Sequence, residues 1–117
     1  MNRPLKFKVW NKKSNEWCGT IGLNETISHN ELEYDTDDLV FVQYTGLTDS
    51  KDKEIYEGDI VKWGDLNYIV EYNHTACKWQ GRCPYYHSYH HPTTENFRDL
   101  MNGVIVGNYF ENNDLLK

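Results

Sequence analysis

The feature that most constrains this chain is the stretch over residues 39–63, LVFVQYTGLTDSKDKEIYEGDIVKW. It opens with an apolar run at residues 39–42 and closes near a second apolar pair, Ile60 and Val61. The residues between them include the turn formers Gly46, Asp49, Asp52, Gly58 and Asp59. Two buried strands joined by an ordered polar connection fit this pattern better than a helix does.

The segments on either side of this stretch also favour strands and turns. In residues 5–10, the apolar side chains alternate with lysines and a tryptophan, which predicts a half-buried strand. A polar turn at residues 11–15 and a returning strand at residues 16–21 complete a hairpin. Gly64 and Asp65 predict a two-residue hairpin turn that leads into an alternating strand at residues 66–72. Residues 103–110 predict a last strand with a bulge or a close backbone approach at Gly107.

Helical patterns are short and lie near the end of the chain. Phe97, Leu100 and Met101 have the i, i+3, i+4 spacing of a helix over residues 94–101, for which Thr93 or Thr94 would be the N-cap. Asn112 or Asn113 would cap a last helical turn that buries Leu115 and Leu116. The fold class predicted is mainly β: one small antiparallel sheet that curls into an SH3-like, partly open barrel with one or two short helices.

Length and composition exclude several classes of protein. A chain of 117 residues forms one domain, here residues 1–117, and 15% aromatic residues is too many for a disordered chain. No apolar run approaches the ~20 residues that cross a bilayer, and the first residues lack the apolar segment of a signal peptide. Three cysteines cannot all pair within one chain, as expected for free thiols in a reducing compartment. We therefore expect a cytosolic protein without a membrane partner.

The charge is acidic overall and unevenly placed. The net charge of −6 comes from 12 basic and 18 acidic residues, and it weighs against sequence-independent binding of nucleic acid. Residues 1–13 carry five bases and no acid, whereas residues 25–38 carry six acids and no base. These runs predict solvated faces rather than a binding patch.

Cysteine and histidine side chains between residues 73 and 92 form the best metal candidate. They are Cys77, Cys83, His87, His90 and His91. Thiolate and imidazole are preferred zinc ligands, and two of each would complete a tetrahedral site. The spacing of the two cysteines is wider than that of the usual zinc knuckle. We therefore favour an exposed aromatic loop with incidental histidines, and we expect no cofactor.

The same region is rich in side chains that commonly contact a partner. They are Trp79, Arg82, Tyr85, Tyr86 and Tyr89. Such residues stack on single-stranded nucleic acid, and they are also enriched in the hot spots of protein interfaces. The acidic charge favours a protein partner, and partial packing of these side chains over one end of the fold is the simplest alternative.

The carboxylates Glu54, Glu57 and Asp59 could serve acid–base catalysis. They are also typical of a turn, in which an aspartate accepts hydrogen bonds from backbone amides just downstream, and we favour this folding role. No cysteine has a histidine at a catalytic spacing, and the chain lacks a glycine-rich phosphate loop. We therefore expect no enzymatic activity.

Three segments of the chain carry a family resemblance. They are the opening LKFKVWNKKSNEW, the central QYTGLTDSKDKEIYEGDIV and the ending VGNYFENNDLL. In this order they resemble the YopX family, small proteins encoded by bacteriophages and prophages, over most of the chain outside residues 73–95. Lys51 and Asp52 stand where the family often has Asn-Gly, and Asn113 stands where it usually has Pro. The resemblance implies a largely β fold that contains a barrel, and it supplies no catalytic residues.

Together these features predict an accessory protein of a phage or prophage that binds a host or phage protein in the host cytoplasm. The alternative is a small β-barrel that binds nucleic acid through the basic N-terminal strand and the aromatic loop. A zinc-dependent enzyme ranks third. A homo-oligomer is also compatible with the sequence.

Overall fold

The computed structural model describes residues 5–22, 36–83 and 93–116, which form nine strands in two antiparallel sheets. The first sheet has the order β2-β1-β3-β4 and comprises β1 (Lys6–Asn11), β2 (Glu16–Gly22), β3 (Leu39–Thr48) and β4 (Glu54–Tyr56). The second sheet has the order β8-β7-β6-β5-β9 and comprises β5 (Asp59–Trp63), β6 (Leu66–Asn73), β7 (Lys78–Cys83), β8 (Thr93–Asn96) and β9 (Val104–Asn108).

The predicted mainly β class is confirmed, together with its short helices. Helix α1 (Phe97–Leu100) and helix α2 (Tyr109–Asn112) are one turn each, and 3₁₀ turns span Thr36–Asp38 and Asn113–Leu116. The SH3-like barrel is confirmed only in part, because the described strands form two separate sheets that do not close into one barrel. Within the described residues, no helix has the length and apolarity needed to span a membrane.

The predicted hairpins form where the turn residues indicate. The Asn11 side chain accepts hydrogen bonds from the amides of Lys13 and Ser14, which closes the turn between β1 and β2. Gly64 has a φ of +62° and lies in the two-residue turn between β5 and β6. This conformation is easily reached by glycine, which has no Cβ.

Two predictions near the end of the chain are wrong in their boundaries. Residues 93–96 form β8 and pair with β7, so the helix predicted over residues 94–101 shrinks to α1, and neither threonine is its N-cap. The last strand ends at Asn108, whose side-chain oxygen accepts the amides of Phe110 and Glu111 and so caps α2. Strand pairing outweighs the local helical spacing in the first case, and an N-cap ends the strand early in the second.

Asp49 attaches the first sheet to the edge of the second. One carboxylate oxygen accepts the amides of Lys51 and Lys53 in the β3–β4 turn, and the other accepts the amide of Ile105 in β9. Burial raises the pKa of Asp49, but the three amide hydrogen bonds outweigh it and hold the pKa below its usual value. The neighbouring Ser50 also donates to the carbonyl of Gly103. The central motif of the sequence therefore covers the outer edge of β9.

The corner between β4 and β5 makes a second junction between the sheets. The amide of Gly58 donates to the carbonyl of Val70 in β6, and its carbonyl accepts the amide of Tyr109. The φ of Gly58 is +87°, and a Cβ here would lie 3.4 Å from the Phe110 ring. Glycine thus supplies the conformation that this corner needs.

Two apolar clusters form the interior. The larger lies between the second sheet and α1 and contains Ile55, Val61, Tyr68, Val70, Cys83 and Leu100. Gly81 allows the close contact of α1 with β7, because a Cβ there would be 2.1 Å from the Leu100 Cδ1 atom. The smaller cluster lies on the first sheet and contains Val42, Tyr44 and Tyr56.

Candidate functional site

Strand pairing decides which side chains share a face of the first sheet. Side chains directly opposite each other across a pair lie on the same face, and neighbours along a strand alternate. One face, the inner face, carries Lys6, Lys8, Trp10, Val40, Val42 and Tyr44. The other, the outer face, carries Leu5, Phe7, Val9, Ile21, Phe41 and Gln43.

The lysines of β1 lie over aromatic rings on the inner face. The Lys8 Nζ atom is 4.5 Å from the centroid of the Tyr56 ring and 5.6 Å from that of Trp17. The Lys6 Nζ atom is 4.8 Å from the centroid of the Tyr44 ring. A cation over an aromatic face is stabilising by roughly 0.5–2 kcal/mol, depending on desolvation. The two lysines that alternate with apolar residues in the sequence therefore pack, half-buried, against aromatic rings.

The C-terminal helix α2 is held against the same face. The Phe110 ring stacks on Trp10 at a centroid distance of 5.5 Å and meets the edge of Trp17 at 5.8 Å. The Trp17 indole N–H donates to Glu111 Oε1 at 2.7 Å, and the Asn108 side-chain amide donates to the same oxygen. Both hydrogen bonds lower the pKa of Glu111, and the bond from Asn108 has the larger effect. We call Trp10, Trp17, Tyr44, Tyr56 and Phe110 the aromatic cluster.

Asp59 is a buried carboxylate beside the aromatic cluster. Only 8% of the residue is exposed, and its Oδ2 atom accepts the Tyr56 amide at 2.8 Å. Burial raises the pKa of Asp59 to about 6, and the hydrogen bond from Tyr56 and the charges of Lys8 and Lys53 only partly oppose this. The amide that it binds lies upstream, not downstream as the sequence predicts.

Two of the three carboxylates for which we predict a folding role, Asp59 and Glu54, make contacts within the fold. Asp59 closes the corner at residues 56–59, and Glu54 forms an ion pair with Lys6. The Tyr56 hydroxyl donates to Glu54, and burial, followed by the charge of Glu54, raises the pKa of Tyr56 to about 12. These contacts agree with a folding role for Asp59 and Glu54.

The outer face of the first sheet presents apolar side chains to solvent. Phe41 is 43% exposed and Leu5 is 42% exposed, while Phe7 and Ile21 are half-buried and Val9 is buried. Phe41 is paired with Val9 of β1, and the pairing of β3 with β4 begins only at Tyr44. A large aromatic side chain left exposed on a sheet is a candidate for contact with a partner.

The two cysteines of the zinc candidate cannot bind one ion together. Cys77 lies in the turn before β7, at a φ of +54°, and Cys83 is the last residue of that strand. Six residues of strand separate their Cα atoms by roughly 20 Å, far beyond the reach of two Zn–S bonds of about 2.3 Å. Cys83 is also buried. His87, His90 and His91 lie outside the described residues.

The predicted stacking platform is divided between two faces of β7. Trp79 lies on the core side and meets the Tyr72 ring edge-on at 5.3 Å, whereas Arg82 lies on the opposite side. The Arg82 Nε atom donates to both carboxylate oxygens of Glu71 at 3.0 and 3.1 Å. Tyr85, Tyr86 and Tyr89 lie outside the described residues, so only Trp79 and Arg82 can be placed, and they do not share a surface.

The exposed outer face was missed as a candidate site. The alternation of residues 5–10 identifies Leu5 and Phe7 as one face of a strand, which is ordinarily the buried one. Aromatic residues occur on both faces of β1 and β3, so their positions in the sequence do not distinguish an interior face from an exposed one.

Comparison with protein families gives a match over nearly the whole chain. A family model described as YopX protein covers residues 6–117. No curated protein matches the chain.

Proposed function

The chain belongs to the YopX protein family, and we propose that it is a non-catalytic accessory protein that binds another protein through the outer face of its first sheet. The proposed setting is the cytoplasm of a bacterial host, where the protein would be encoded by a phage or a prophage. This setting follows from the family resemblance of the opening, central and ending segments. The exposed apolar residues of the outer face support the proposed binding role.

Phe41 is the observation that carries the proposal. This residue is 43% exposed on β3, and Leu5, which is 42% exposed, lies on the same face. Burial of apolar surface is favourable by about 25 cal/mol per Å², so covering such a face would contribute directly to binding. Aromatic side chains at the centre of a patch are also frequent hot spots of protein interfaces.

The contacts of the basic residues favour a protein partner over nucleic acid. Lys6 is paired with Glu54, Lys8 packs on aromatic rings, and Arg82 binds Glu71. Because a phosphate backbone is bound mainly by free Lys and Arg side chains, Lys6, Lys8 and Arg82 cannot bind it without losing these internal contacts.

Capture of partners from the lysate of phage-infected bacteria tests this function with a matched pair of variants. Phe41→Ser removes an apolar side chain from the outer face, and Val106→Ser removes one of similar exposure, 41%, from the second sheet. We expect the Phe41 variant to lose at least tenfold of the captured protein and the Val106 variant to retain it. Equal thermal stability of the two variants shows that folding is not the cause.

Two results would contradict the proposal. One is a capture that equals the tag-only control for the unmodified protein. The other is equal capture by the Phe41 and Val106 variants, which would place the binding surface elsewhere. Capture that is abolished by nuclease would favour the nucleic-acid alternative instead.

A further inference from the structure

We propose that the Lys8 side chain is a pH-sensitive switch, which lies over aromatic rings while Asp59 is protonated and turns toward Asp59 when that carboxyl group releases its proton to solvent. The switch lies on the inner face of the first sheet, so it does not depend on the partner proposed for the outer face. It consists of one lysine, two aromatic rings and two carboxyl groups beside the corner between β4 and β5.

Asp59 is buried with few groups that stabilise a negative charge. Only 8% of the residue is exposed, and within the described residues its side chain accepts one hydrogen bond, from the Tyr56 amide. Its neighbour across the sheet on β9 is the uncharged Asn108, and the Tyr56 hydroxyl, with a pKa of about 12, is also uncharged at neutral pH. Burial disfavours an ionised carboxyl group unless hydrogen bonds or cations replace the lost water. A cation that can approach Asp59 is therefore attracted to it chiefly in its ionised form.

The charged side chains that act most on Asp59 come from β1 and from the β3–β4 turn. Lys8 and Lys53 favour its ionised form, with the larger effect from Lys8, and Asp49 opposes it. Asp49 is fixed by three backbone amides, and Lys53 is exposed to solvent, which screens its charge. Lys8 is half-buried and flexible. Lys8 is therefore the cation whose position the charge of Asp59 controls.

Two sets of partners compete for the Lys8 ammonium group. Its Nζ atom is 4.5 Å from the centroid of the Tyr56 ring and 5.6 Å from that of Trp17. Its charge also favours the ionised forms of Asp59 and Glu111, although within the described residues it forms an ion pair with neither. The four-carbon side chain can exchange these partners by rotation, because neither a ring contact nor a partly exposed ion pair is strong. The charge state of Asp59 therefore decides where the ammonium group lies.

The switch changes the surroundings of the C-terminal helix α2. The Trp17 indole N–H donates to Glu111 on α2 at 2.7 Å. When Lys8 turns toward Asp59, a cation leaves the Trp17 ring and the neighbourhood of the negative Glu111. Glu111 then loses part of the attraction that holds α2 on the first sheet. We expect α2 to be held more firmly below about pH 6, where Asp59 is protonated, than above it.

NMR spectra of the isotope-labelled protein, recorded across neutral and mildly acidic pH, test the switch. The Trp17 indole N–H resonance, assigned by its loss in Trp17→Phe, should shift with a midpoint near pH 6, together with the Asp59 carboxyl carbon. The Lys8 Cε carbon should shift with the same midpoint, because it leaves the face of the Tyr56 ring. Glu111 has a lowered pKa, so its own titration lies at more acidic pH. Asp59→Asn should abolish the indole shift, although all five histidines remain.

A matched pair of lysine variants tests the moving group. Lys8→Met and Lys6→Met each remove one charge from the inner face of β1 and keep an apolar chain, but Lys6 lies over Tyr44 and pairs with Glu54. Lys8→Met should abolish the indole shift and move the midpoint of Asp59 to higher pH, because the cation that favours its ionised form is gone. Lys6→Met should leave the indole shift and its midpoint unchanged.

Several results would overturn the switch. An indole shift that persists in Asp59→Asn would assign the titration to a histidine. A Lys8 Cε signal that stays constant while Asp59 titrates in the unmodified protein would show that the lysine does not move, whether or not the lysine variants fold. Equal effects of Lys8→Met and Lys6→Met would show that the position of the charge is unimportant. None of these outcomes bears on the capture of a partner by the outer face.

Discussion

Asp59→Asn should remove a pH dependence of stability that the unmodified protein shows between about pH 4 and pH 7. The carboxylate is buried at the corner between the sheets, and its pKa in the folded protein is about 6, against 3.8 when exposed. The folded state therefore binds the proton more readily than the unfolded state does. The resulting stabilisation is fully present at pH values below 3.8, the pKa of this carboxyl group in the unfolded chain, and it is lost as the pH rises through about 6.

The magnitude follows from the difference between the two pKa values. About two pKa units at 1.36 kcal/mol each correspond to roughly 3 kcal/mol in the free energy of unfolding. Asparagine keeps an oxygen that can accept the Tyr56 amide, but it does not ionise. We expect the variant to be more stable than the unmodified protein at pH 7.5 and similar to it near pH 4.

Urea unfolding followed by tryptophan fluorescence, at pH values from 4 to 7.5, measures this difference. Asp49 and Glu111 have lowered pKa values, so their contributions to stability are lost at more acidic pH, and both remain in the variant. Asp65→Asn is the control, because it removes a carboxylate from an exposed turn, and its curve should follow that of the unmodified protein. Parallel curves for Asp59→Asn and the unmodified protein would refute the reasoning.

Three further substitutions test the joints of the fold by equilibrium unfolding in urea. Asp49→Asn should lower stability by about 1–3 kcal/mol, since an amide has one acceptor oxygen and the Ile105 amide would lose its partner; a change below about 0.5 kcal/mol would contradict this. Asp52→Gly should raise stability by about 0.5–1 kcal/mol, because Asp52 has a φ of +61°. The same change at Asp65, which does not have a positive φ, is the control and should bring no gain. Phe110→Leu should lower stability by about 1–2 kcal/mol and shift the tryptophan fluorescence, because it removes ring stacking from the aromatic cluster; an unchanged spectrum would argue against that packing.

Local signals predicted much of the strand framework. The turn at Gly64 and Asp65, the polar turn after Asn11 and the close approach at Gly107 all appear where the sequence indicates. A Cβ at Gly107 would lie 2.6 Å from the Asn112 side chain, which accounts for the glycine. Each of these features depends on a few neighbouring residues, so the sequence contains the information directly.

The predictions that depended on distant contacts were less successful. Residues 93–96 have a weak helical pattern, but pairing with β7 makes them a strand. The sequence groups Cys77 with Cys83 as zinc candidates, but Cys77 occupies a positive-φ position in the turn before β7 and Cys83 lies at the other end of that strand. Trp79 and Arg82 were grouped as one platform, although the alternation of β7 puts them on opposite faces.

By itself, the sequence determined that this chain is a mainly β protein with strands divided by Gly, Asn and Asp turns, because turn geometry and the period of two are local properties. The tertiary structure places Lys6 and Lys8 against aromatic rings and leaves Leu5, on the opposite face of β1, exposed. The alternation of β1 puts Leu5 and Phe7 on one face of the strand and Lys6 and Lys8 on the other. It does not show which of these two pairs packs against other side chains. Aromatic rings from β2, β3 and β4 lie against the lysines, because a ring face stabilises the charged nitrogen and also packs against the alkyl chain. The apolar side chains of Leu5 and Phe41 are consequently left on the outer face, where the proposed partner would bind.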